Sequence, residues 1–211
     1  SSILLTVQAD SFTNDKGWAV TYFTKEPGKM NSEITIRPVT LADADRLLTI
    51  YAPYVLESAI TFEYDVPSLQ EFKKRISHIT SRYPYLAAFA EGEIKGYAYA
   101  SAFKNRPAYD WSVETSIYIE KDFHGQGVGS KLYRRLEELL RRQNVCNLCA
   151  CIAYPNPKSI AFHEHMGYKT VAHFHQSGYK FGSWYDMIWM EKFLNPHLPD
   201  QKPFIPIKEV L

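Results

Sequence analysis

Apolar residues along the chain recur with two spacings, and these spacings predict where strands and helices alternate. Strands are indicated by apolar residues at every second position, or by short apolar runs bounded by turn residues. The predicted strands span residues 34–39, 85–91, 94–103, 113–120, 147–154, 168–176 and 183–194, and residues 60–65 could also be extended. A tight turn joins the second and third of these strands, so they are expected to form a hairpin.

Four helices are predicted between the strands. Thr40 and Ser68 are each followed three residues later by an acidic residue, which is the spacing of a capping box. In the third helix, leucines recur on one face and Glu–Arg pairs four residues apart occupy the other. The helices begin after Thr40, after Ser68, near residue 130 and at Pro157, and they end near Glu57, Arg82, residue 143 and Gly167.

The order of these elements, β-α-α-β-β-β-α-β-α-β-β, predicts an α/β (α+β) fold. A central mixed, mostly antiparallel sheet would be flanked by helices, since the strict strand–helix alternation of a doubly wound fold is missing. We expect an N-terminal extension over residues 1–33, a domain over residues 34–194, and a Pro-rich tail over residues 195–211. The tail would lie across the surface or onto a partner subunit. Met30 could be a natural start, in which case residues 1–29 are a vector-derived or natural extension.

The composition is that of a globular protein without a bias towards charged partners. Of 211 residues, 45% are hydrophobic and 22% are charged, and the net charge is +1. This balance argues against nucleic acid or a membrane surface as the main partner. No apolar run is long enough for a transmembrane helix, and the first residues do not resemble a signal peptide. Aromatic residues reach 15%, which indicates an aromatic core or a pocket with flat walls.

Three cysteines cluster at Cys146, Cys149 and Cys151. Their odd number does not suit a disulfide framework, and no second ligand pair follows to complete a metal site. We therefore interpret them as small apolar side chains of a strand and expect a reducing, cytoplasmic location.

Three alternate glycines, Gly125, Gly127 and Gly129, directly precede the third helix. The first turn of a helix has N–H groups without intrahelical partners, and glycine allows an anion to approach them closely. A pyrophosphate is the natural ligand of such a site. Neither the P-loop pattern nor the dinucleotide pattern fits the residue order here.

The stretch from His124 to Gly129 resembles the acetyl-CoA loop of the GNAT acetyltransferases, [RQ]-x-x-G-x-[GA], with His124 where the family prefers Arg or Gln. The stretch from Asn156 to Tyr168 is similar to a second motif of that family, N-x-x-A-x-x-F-Y-x-x-x-G-F. Within the family, the segment AYDWSVET and its surroundings most resemble the phosphinothricin and methionine sulfoximine N-acetyltransferases.

The resemblance implies a GNAT fold, acetyl-CoA as co-substrate and no metal. It implies that the strand before the loop pairs with the pantetheine arm, that the loop amides bind the pyrophosphate, and that Asn156 bonds the arm. The cofactor-binding residues would be Ile117, Tyr118, Ile119, Gly125, Gln126, Gly127, Val128, Gly129, Ser130 and Asn156.

The resemblance also implies which residues catalyse the transfer and bind the amine. Glu114 would be the general base, with a pKa raised by burial among Trp111, Tyr109 and Tyr118, and a salt-bridged Glu is the alternative. His163 would protonate the leaving thiolate, and packing of this His against the sheet is its alternative. A substrate carboxylate or amine would meet Lys104, Asn105, Arg106, Glu114, Thr115 and Ser116, and Lys180 could meet a phosphinyl or sulfoximine oxygen.

Several alternatives remain open at this point. The substrate could be another amine, such as a polyamine or a peptide N-terminus, or the chain could be a CoA-binding regulatory module without turnover. His173 and His175 share a strand face, but no carboxylate with suitable spacing accompanies them, so a pocket wall or plain surface is favoured over a metal site. We expect a small-molecule amine as partner, and a homodimer.

Overall fold

The computed structural model describes residues 20–22 and 33–211 and shows one sheet of eight strands. Most of the predicted N-terminal extension therefore lies outside the described residues. The strands are β1 (Val20–Tyr22), β2 (Ile34–Pro38), β3 (Tyr85–Ala90), β4 (Glu93–Ala102), β5 (Ser112–Ile119), β6 (Asn147–Tyr154), β7 (Lys169–Lys180) and β8 (Ser183–Phe193).

The strand order is β1-β2-β3-β4-β5-β6-β8-β7, and neighbouring strands are antiparallel except for the pair β5–β6. The parallel pair requires a crossover, which the third long helix provides. The prediction of a mixed, mostly antiparallel sheet flanked by helices is confirmed.

The helices are α1 (Ala44–Glu57), α2 (Leu69–Thr80), α3 (Val128–Arg142), α4 (Pro157–His165) and a short α5 (Ile207–Val210) that the pattern did not predict. Local caps explain where α1 and α2 begin. The Asp43 carboxylate accepts a hydrogen bond from the Thr40 N–H at 2.8 Å, ahead of a 3₁₀ turn that leads into α1. The Ser68 hydroxyl accepts from the Glu71 N–H at 3.1 Å.

The two faces of the sheet bury different side chains, because successive residues of a strand point to opposite sides. On one face, tyrosines of β3 and β4 such as Tyr85 and Tyr97 pack against α1 and α2. On the other face, aliphatic residues such as Leu86, Ala98 and Val113 pack against α3. The high aromatic content is thus concentrated on one side of the sheet.

Two predicted elements differ in the structure. Residues 60–65 do not form a strand, and the contacts that fix them come from β7, as described below. Strand β7 continues to Lys180, beyond the predicted end at residue 176, because Phe181 and Gly182 adopt φ of 50° and 73° and turn the chain directly into β8.

The Pro-rich tail packs on its own domain, although the sequence left a partner subunit open. The Gln143 side-chain amide donates to the carbonyls of Arg82 and Ile205, at 2.8 Å each, and thereby ties the tail to the end of α3. Ile207 and Val210 are buried in the α3 side of the core. The tail is therefore part of the folded domain.

Strand β6 matches its predicted limits, and the three cysteines have free thiols. Cys146 and Cys149 are buried, as expected of small apolar residues near and within a strand, whereas Cys151 is exposed. Among the residues that the structure describes, no helix is long and apolar enough to cross a membrane.

Replacing Ile207 by Ala tests whether the tail contributes to the core. Since this side chain is buried, we expect Ile207→Ala to lower the free energy of unfolding by about 2–4 kcal/mol in urea denaturation. The neighbouring Lys208 is exposed, and Lys208→Ala should change stability by less than about 0.5 kcal/mol. Equal stability of the two variants would show that the tail is not anchored.

Candidate active site

Strands β5 and β6 pair over only three residues and then diverge. The paired residues are Ser112 with Asn147, Val113 with Leu148, and Glu114 with Cys149. Beyond Glu114 a cleft opens between the strands, lined on the β5 side by residues 115–118 and on the β6 side by residues 150–153. The β5 backbone that borders this cleft is the edge that an extended ligand can pair with.

The glycine loop lies at the far end of β5 and opens α3. Gly125 and Gly127 both have φ of 77°, a conformation that glycine adopts without strain. Helix α3 begins at Val128, two residues earlier than predicted, and its first intrahelical bond runs from the Lys131 N–H to the Gly127 carbonyl. No side chain of the described residues caps this end. The N–H groups of the first turn are therefore available to an anion.

The third glycine of the loop has a different role from the first two. Gly129 is helical, and a Cβ atom added to it would lie 3.0 Å from the Phe162 ring and 3.3 Å from the Ile119 side chain. It lets α3 pack closely against α4 and the end of β5. The loop is also tied to β5 through Tyr54, whose hydroxyl hydrogen bonds to the Ile119 carbonyl and lies 2.9 Å from Nε2 of His124.

Glu114 lies at the point where β5 and β6 separate, and its carboxylate is half-buried. Burial raises its pKa, and the nearby Lys104 ammonium opposes this shift. Tyr99 lies on the same face of the sheet, because it pairs with Ser116 two residues along β5, whereas Tyr109 is exposed. Among the described residues Glu114 forms no ion pair within 4.0 Å, which disfavours the salt-bridged alternative.

A cavity of about 290 Å³ opens on the α1–α2 side of the sheet. Tyr118 lines both this aromatic cavity and the cleft, and Ser101, opposite Glu114 in the β4–β5 register, lines the cavity as well. Glu114 itself lines neither space, but its register partner Ser101 lines the cavity and the next residue, Thr115, lines the cleft. The cavity is lined by Tyr51, Phe72, Arg75, His78, Ile79, Tyr85, Tyr97, Tyr99, Ser101 and Tyr118.

Sequence reasoning did not find this cavity. Its walls come from α1, α2 and three strands. The only sequence signal for it was the high content of aromatic residues. Arg75 was also missed. Its guanidinium forms a bidentate pair with Glu63, at 2.7 and 3.0 Å, and the Glu63 carboxylate accepts from the Tyr51 hydroxyl too. These contacts fix one wall of the cavity.

The predicted substrate residues are only partly brought together. Ser116 lies on the face of Glu114 and hydrogen bonds to Tyr99. Lys104, Asn105 and Arg106 form an exposed segment. The positive charge of Lys104 opposes the rise that burial causes in the pKa of Glu114. The Thr115 hydroxyl is not on the Glu114 side, because alternation turns it to the opposite face of β5, where Thr115 lines the cleft.

Thr115 and His163 belong to a buried hydrogen-bonded cluster on the cleft side. The Thr115 hydroxyl lies 2.9 Å from the Tyr168 hydroxyl. Nδ1 of His163 donates to the Ser159 carbonyl at 2.8 Å, so Nε2 of the neutral ring can accept from the Tyr133 hydroxyl at 3.0 Å. Burial lowers the pKa of His163, so the ring is neutral at pH 7.

Asn156 also lines the cleft, at the N-cap of α4. Its carbonyl oxygen accepts from the Ser159 N–H at 3.3 Å, and among the described residues no hydrogen bond uses its amide nitrogen. The Asn156 amide can therefore donate into the cleft, as its predicted role requires.

Lys180 does not meet a substrate oxygen, and that prediction is wrong. The side chain is only 2% exposed, and its ammonium donates to the carbonyls of Val55, Ser58 and Thr61 at 2.6, 2.8 and 2.9 Å. It holds the segment 58–64, which we call the 58–64 loop. This loop contributes Ile60 to the cleft and Glu63 to the contacts that fix Arg75.

Comparison with known proteins agrees with this geometry. The acetyltransferase (GNAT) domain family matches residues 36–189. The chain is 34% identical over 178 residues to phosphinothricin N-acetyltransferase of Streptomyces viridochromogenes, covering 84% of this chain and 96% of the relative. It is 30% identical over 168 residues to the L-methionine sulfoximine/L-methionine sulfone acetyltransferase of Salmonella typhimurium, covering 78% and 96%.

A solved structure shows the same fold. The GNAT phosphinothricin acetyltransferase from Sinorhizobium meliloti, determined in complex with AcCoA, has a TM-score of 0.76 and 34% identity. The similarity covers 82% of this chain and 98% of that one. The chain therefore belongs to the GNAT acetyltransferase family. Its activity is that of an N-acetyltransferase.

Replacing Lys180 by Met tests the clamp on the 58–64 loop. The substitution keeps the volume of the side chain and leaves three carbonyls without their shared donor, so we expect a loss of about 2–4 kcal/mol in the free energy of unfolding. Lys169→Met, at an exposed position of the same strand, should be nearly neutral. If both variants were equally stable, the three hydrogen bonds would not hold the loop.

Proposed function

We propose that this enzyme transfers an acetyl group from acetyl-CoA directly to the α-amino group of a small amino-acid-like substrate, such as phosphinothricin or methionine sulfoximine, with Glu114 as general base. The observation that carries the proposal is the position of Glu114, half-buried with a raised pKa, at the last β5–β6 pair and opposite Ser101 of the aromatic cavity. The named activities of the relatives support the substrate class.

The described residues fit acetyl-CoA at two places. The pyrophosphate would be held by the main-chain amides between Gly125 and Ser130, where the first turn of α3 has no side-chain cap. The pantetheine arm would lie along β5 at Ile117, Tyr118 and Ile119, with the Asn156 amide donating to it. When bound, acetyl-CoA supplies the activated acetyl group as a thioester.

Glu114 would accept the proton that the substrate ammonium has to lose, directly or through one water molecule. A carboxylate with a raised pKa is a stronger base than an exposed Glu, which suits this step near neutral pH. Backbone N–H groups of β5 beside the cleft would donate to the carbonyl oxygen as negative charge develops on it.

His163 stays in the proposal as one member of a pair with Tyr133. Since the ring is neutral and its Nδ1 proton is bound to the Ser159 carbonyl, the proton nearest the cleft is that of the Tyr133 hydroxyl. We propose that the Tyr133 hydroxyl, which donates to Nε2 of His163 before the reaction, turns this proton to the leaving thiolate, and that His163 orients the hydroxyl until then.

The substrate would occupy the aromatic cavity with its amine directed to Glu114. The volume of about 290 Å³ is at the lower limit for ligand pockets and suits one amino acid. Lys104, Asn105 and Arg106 would supply donors for a carboxylate, which favours an anionic substrate over a polyamine. We also propose a homodimer, since Phe174, Trp184 and Phe193 of the β7–β8 hairpin are each at least half exposed.

A thiol-release assay against a panel of amines tests the substrate class. We expect acetyl-CoA turnover with phosphinothricin and methionine sulfoximine, and a strong loss with their decarboxylated analogues, because the carboxylate contact is removed. If only spermidine or only a peptide N-terminus were acetylated, the substrate would be a polyamine or a peptide instead of a small amino acid. Heat of acetyl-CoA binding in calorimetry without thiol release for any amine would indicate a binding module.

Replacing Glu114 by Gln tests the base. We expect kcat to fall about 10²- to 10⁴-fold while the Kd for acetyl-CoA stays nearly unchanged, because the amide keeps the shape of the side chain but cannot accept the proton. The matched control is Glu209→Gln on the exposed surface of α5, which should retain full activity. A surviving rate in Glu114→Gln would refute the assignment.

The pH dependence of stability gives an independent test of the raised pKa of Glu114. A carboxyl group whose pKa is raised by folding stabilises the protein below its unfolded pKa, and this contribution is lost as the pH rises through the folded pKa. Glu114→Gln should therefore raise the Tm relative to the parent at about pH 8 and leave it similar at about pH 4. If Glu114 were salt-bridged instead, Glu114→Gln should lower the Tm relative to the parent at about pH 8.

A further inference from the structure

A second cluster of side chains lies on the β7–β8 hairpin, apart from the acetyl-transfer residues. It consists of His173 and His175 on β7 and Asp186 on β8. Their ligand atoms all lie within 4.8 Å of one another. The sequence lacked a carboxylate near the two histidines, and the fold supplies one from the next strand.

An irregularity in strand pairing lies beside this cluster. Phe174 pairs with Met187 and Gly178 pairs with Tyr185, so three residues of β7, 175–177, face the single residue Asp186. Gln176 takes a φ of 47° within this bulge. Because Phe174 pairs with Met187, His175 is the next residue of β7 in register with Asp186, and His173 lies two residues before it on the same face of the strand.

The three side chains converge on one carboxylate oxygen. Nε2 of His173 lies 2.8 Å and Nδ1 of His175 lies 3.2 Å from Oδ2 of Asp186. In a tetrahedral zinc site with bonds of about 2.0–2.1 Å, neighbouring ligand atoms are about 3.3 Å apart. The two His–Asp distances are therefore close to those of a metal site, and small rotations of the rings would admit an ion.

Neighbouring groups hold two of the three ligands in place. The other oxygen of Asp186 accepts a hydrogen bond from the Gln176 N–H at 2.8 Å, which fixes the orientation of the carboxylate. The His173 ring packs against the Tyr154 ring, with centroids 4.8 Å apart. Such outer contacts are what orient the ligands of metal sites in proteins.

We propose that His173, His175 and Asp186 bind one borderline divalent transition-metal ion, such as Zn²⁺. Two imidazoles and one carboxylate suit Zn²⁺, Ni²⁺ or Cu²⁺, whereas Mg²⁺ and Ca²⁺ prefer oxygen ligands throughout. His175 is exposed, so a solvent molecule can complete the coordination. The ion would link β7 to β8 at the bulge, where backbone pairing is interrupted, and so stabilise the hairpin.

Calorimetry with ZnCl₂ alone, on chelator-treated protein without a histidine tag, tests the site. We expect one ion per chain and a Tm that rises with zinc concentration. Asp186→Asn and the double variant His173→Gln/His175→Gln should each weaken binding at least about tenfold. His165→Ala, at an exposed histidine on α4, is the matched control and should bind zinc as the parent does.

Cobalt provides a spectroscopic check that depends on the ligands themselves. Substitution with Co²⁺ should give visible absorption bands of a low-coordinate site in the parent and in His165→Ala, and these bands should be absent from the double variant. Two results would overturn the proposal. One is the absence of binding heat at millimolar zinc, in which case the cluster is a hydrogen-bonded network only. The other is unchanged affinity in the double variant, which would place the ion elsewhere.

Discussion

The active-site geometry depends on the short parallel pairing between β5 and β6. Backbone hydrogen bonding keeps these strands together for three residue pairs and then ends at Glu114. Had the ladder continued, the β5 backbone would be occupied and the cleft would not exist. The same point of divergence leaves Glu114 half-buried, and this burial accounts for its raised pKa. One constraint on strand pairing thus creates the cleft and sets the environment of Glu114.

Alternation along β5 divides the chemistry between the two sides of the sheet. Glu114, Ser116 and Tyr118 face the tyrosines on the α1–α2 side, whereas Thr115 faces the buried cluster of Tyr133, His163 and Tyr168. The proposed base Glu114 and the proposed proton donor Tyr133 therefore lie on opposite sides of the sheet. Tyr118 separates the two spaces and lines both, so its ring sets how closely their contents can approach.

Local signals in the sequence were sufficient for most elements and for part of the site. The caps at Thr40 and Ser68 and the glycines at residues 125 and 127 act within a few residues, so a short window contains their physical cause. Arg75 and Asp186 could not be found this way, because their partners come from other elements or from the facing strand. The grouping of Thr115 with Glu114 rested on nearness in sequence, and alternation along the strand turns these two side chains to opposite faces.

The clamp at Lys180 has a consequence for how the enzyme can diversify. Its ammonium bonds to carbonyls that are 119 to 125 positions earlier in the chain, so the conformation of the 58–64 loop is dictated by a distant hairpin. All residues lining the aromatic cavity precede residue 119, yet one of its walls is fixed through that loop. Changes confined to the β7–β8 hairpin can therefore reshape the aromatic cavity without altering any residue that lines it, which gives evolution or a protein engineer a remote means of adjustment.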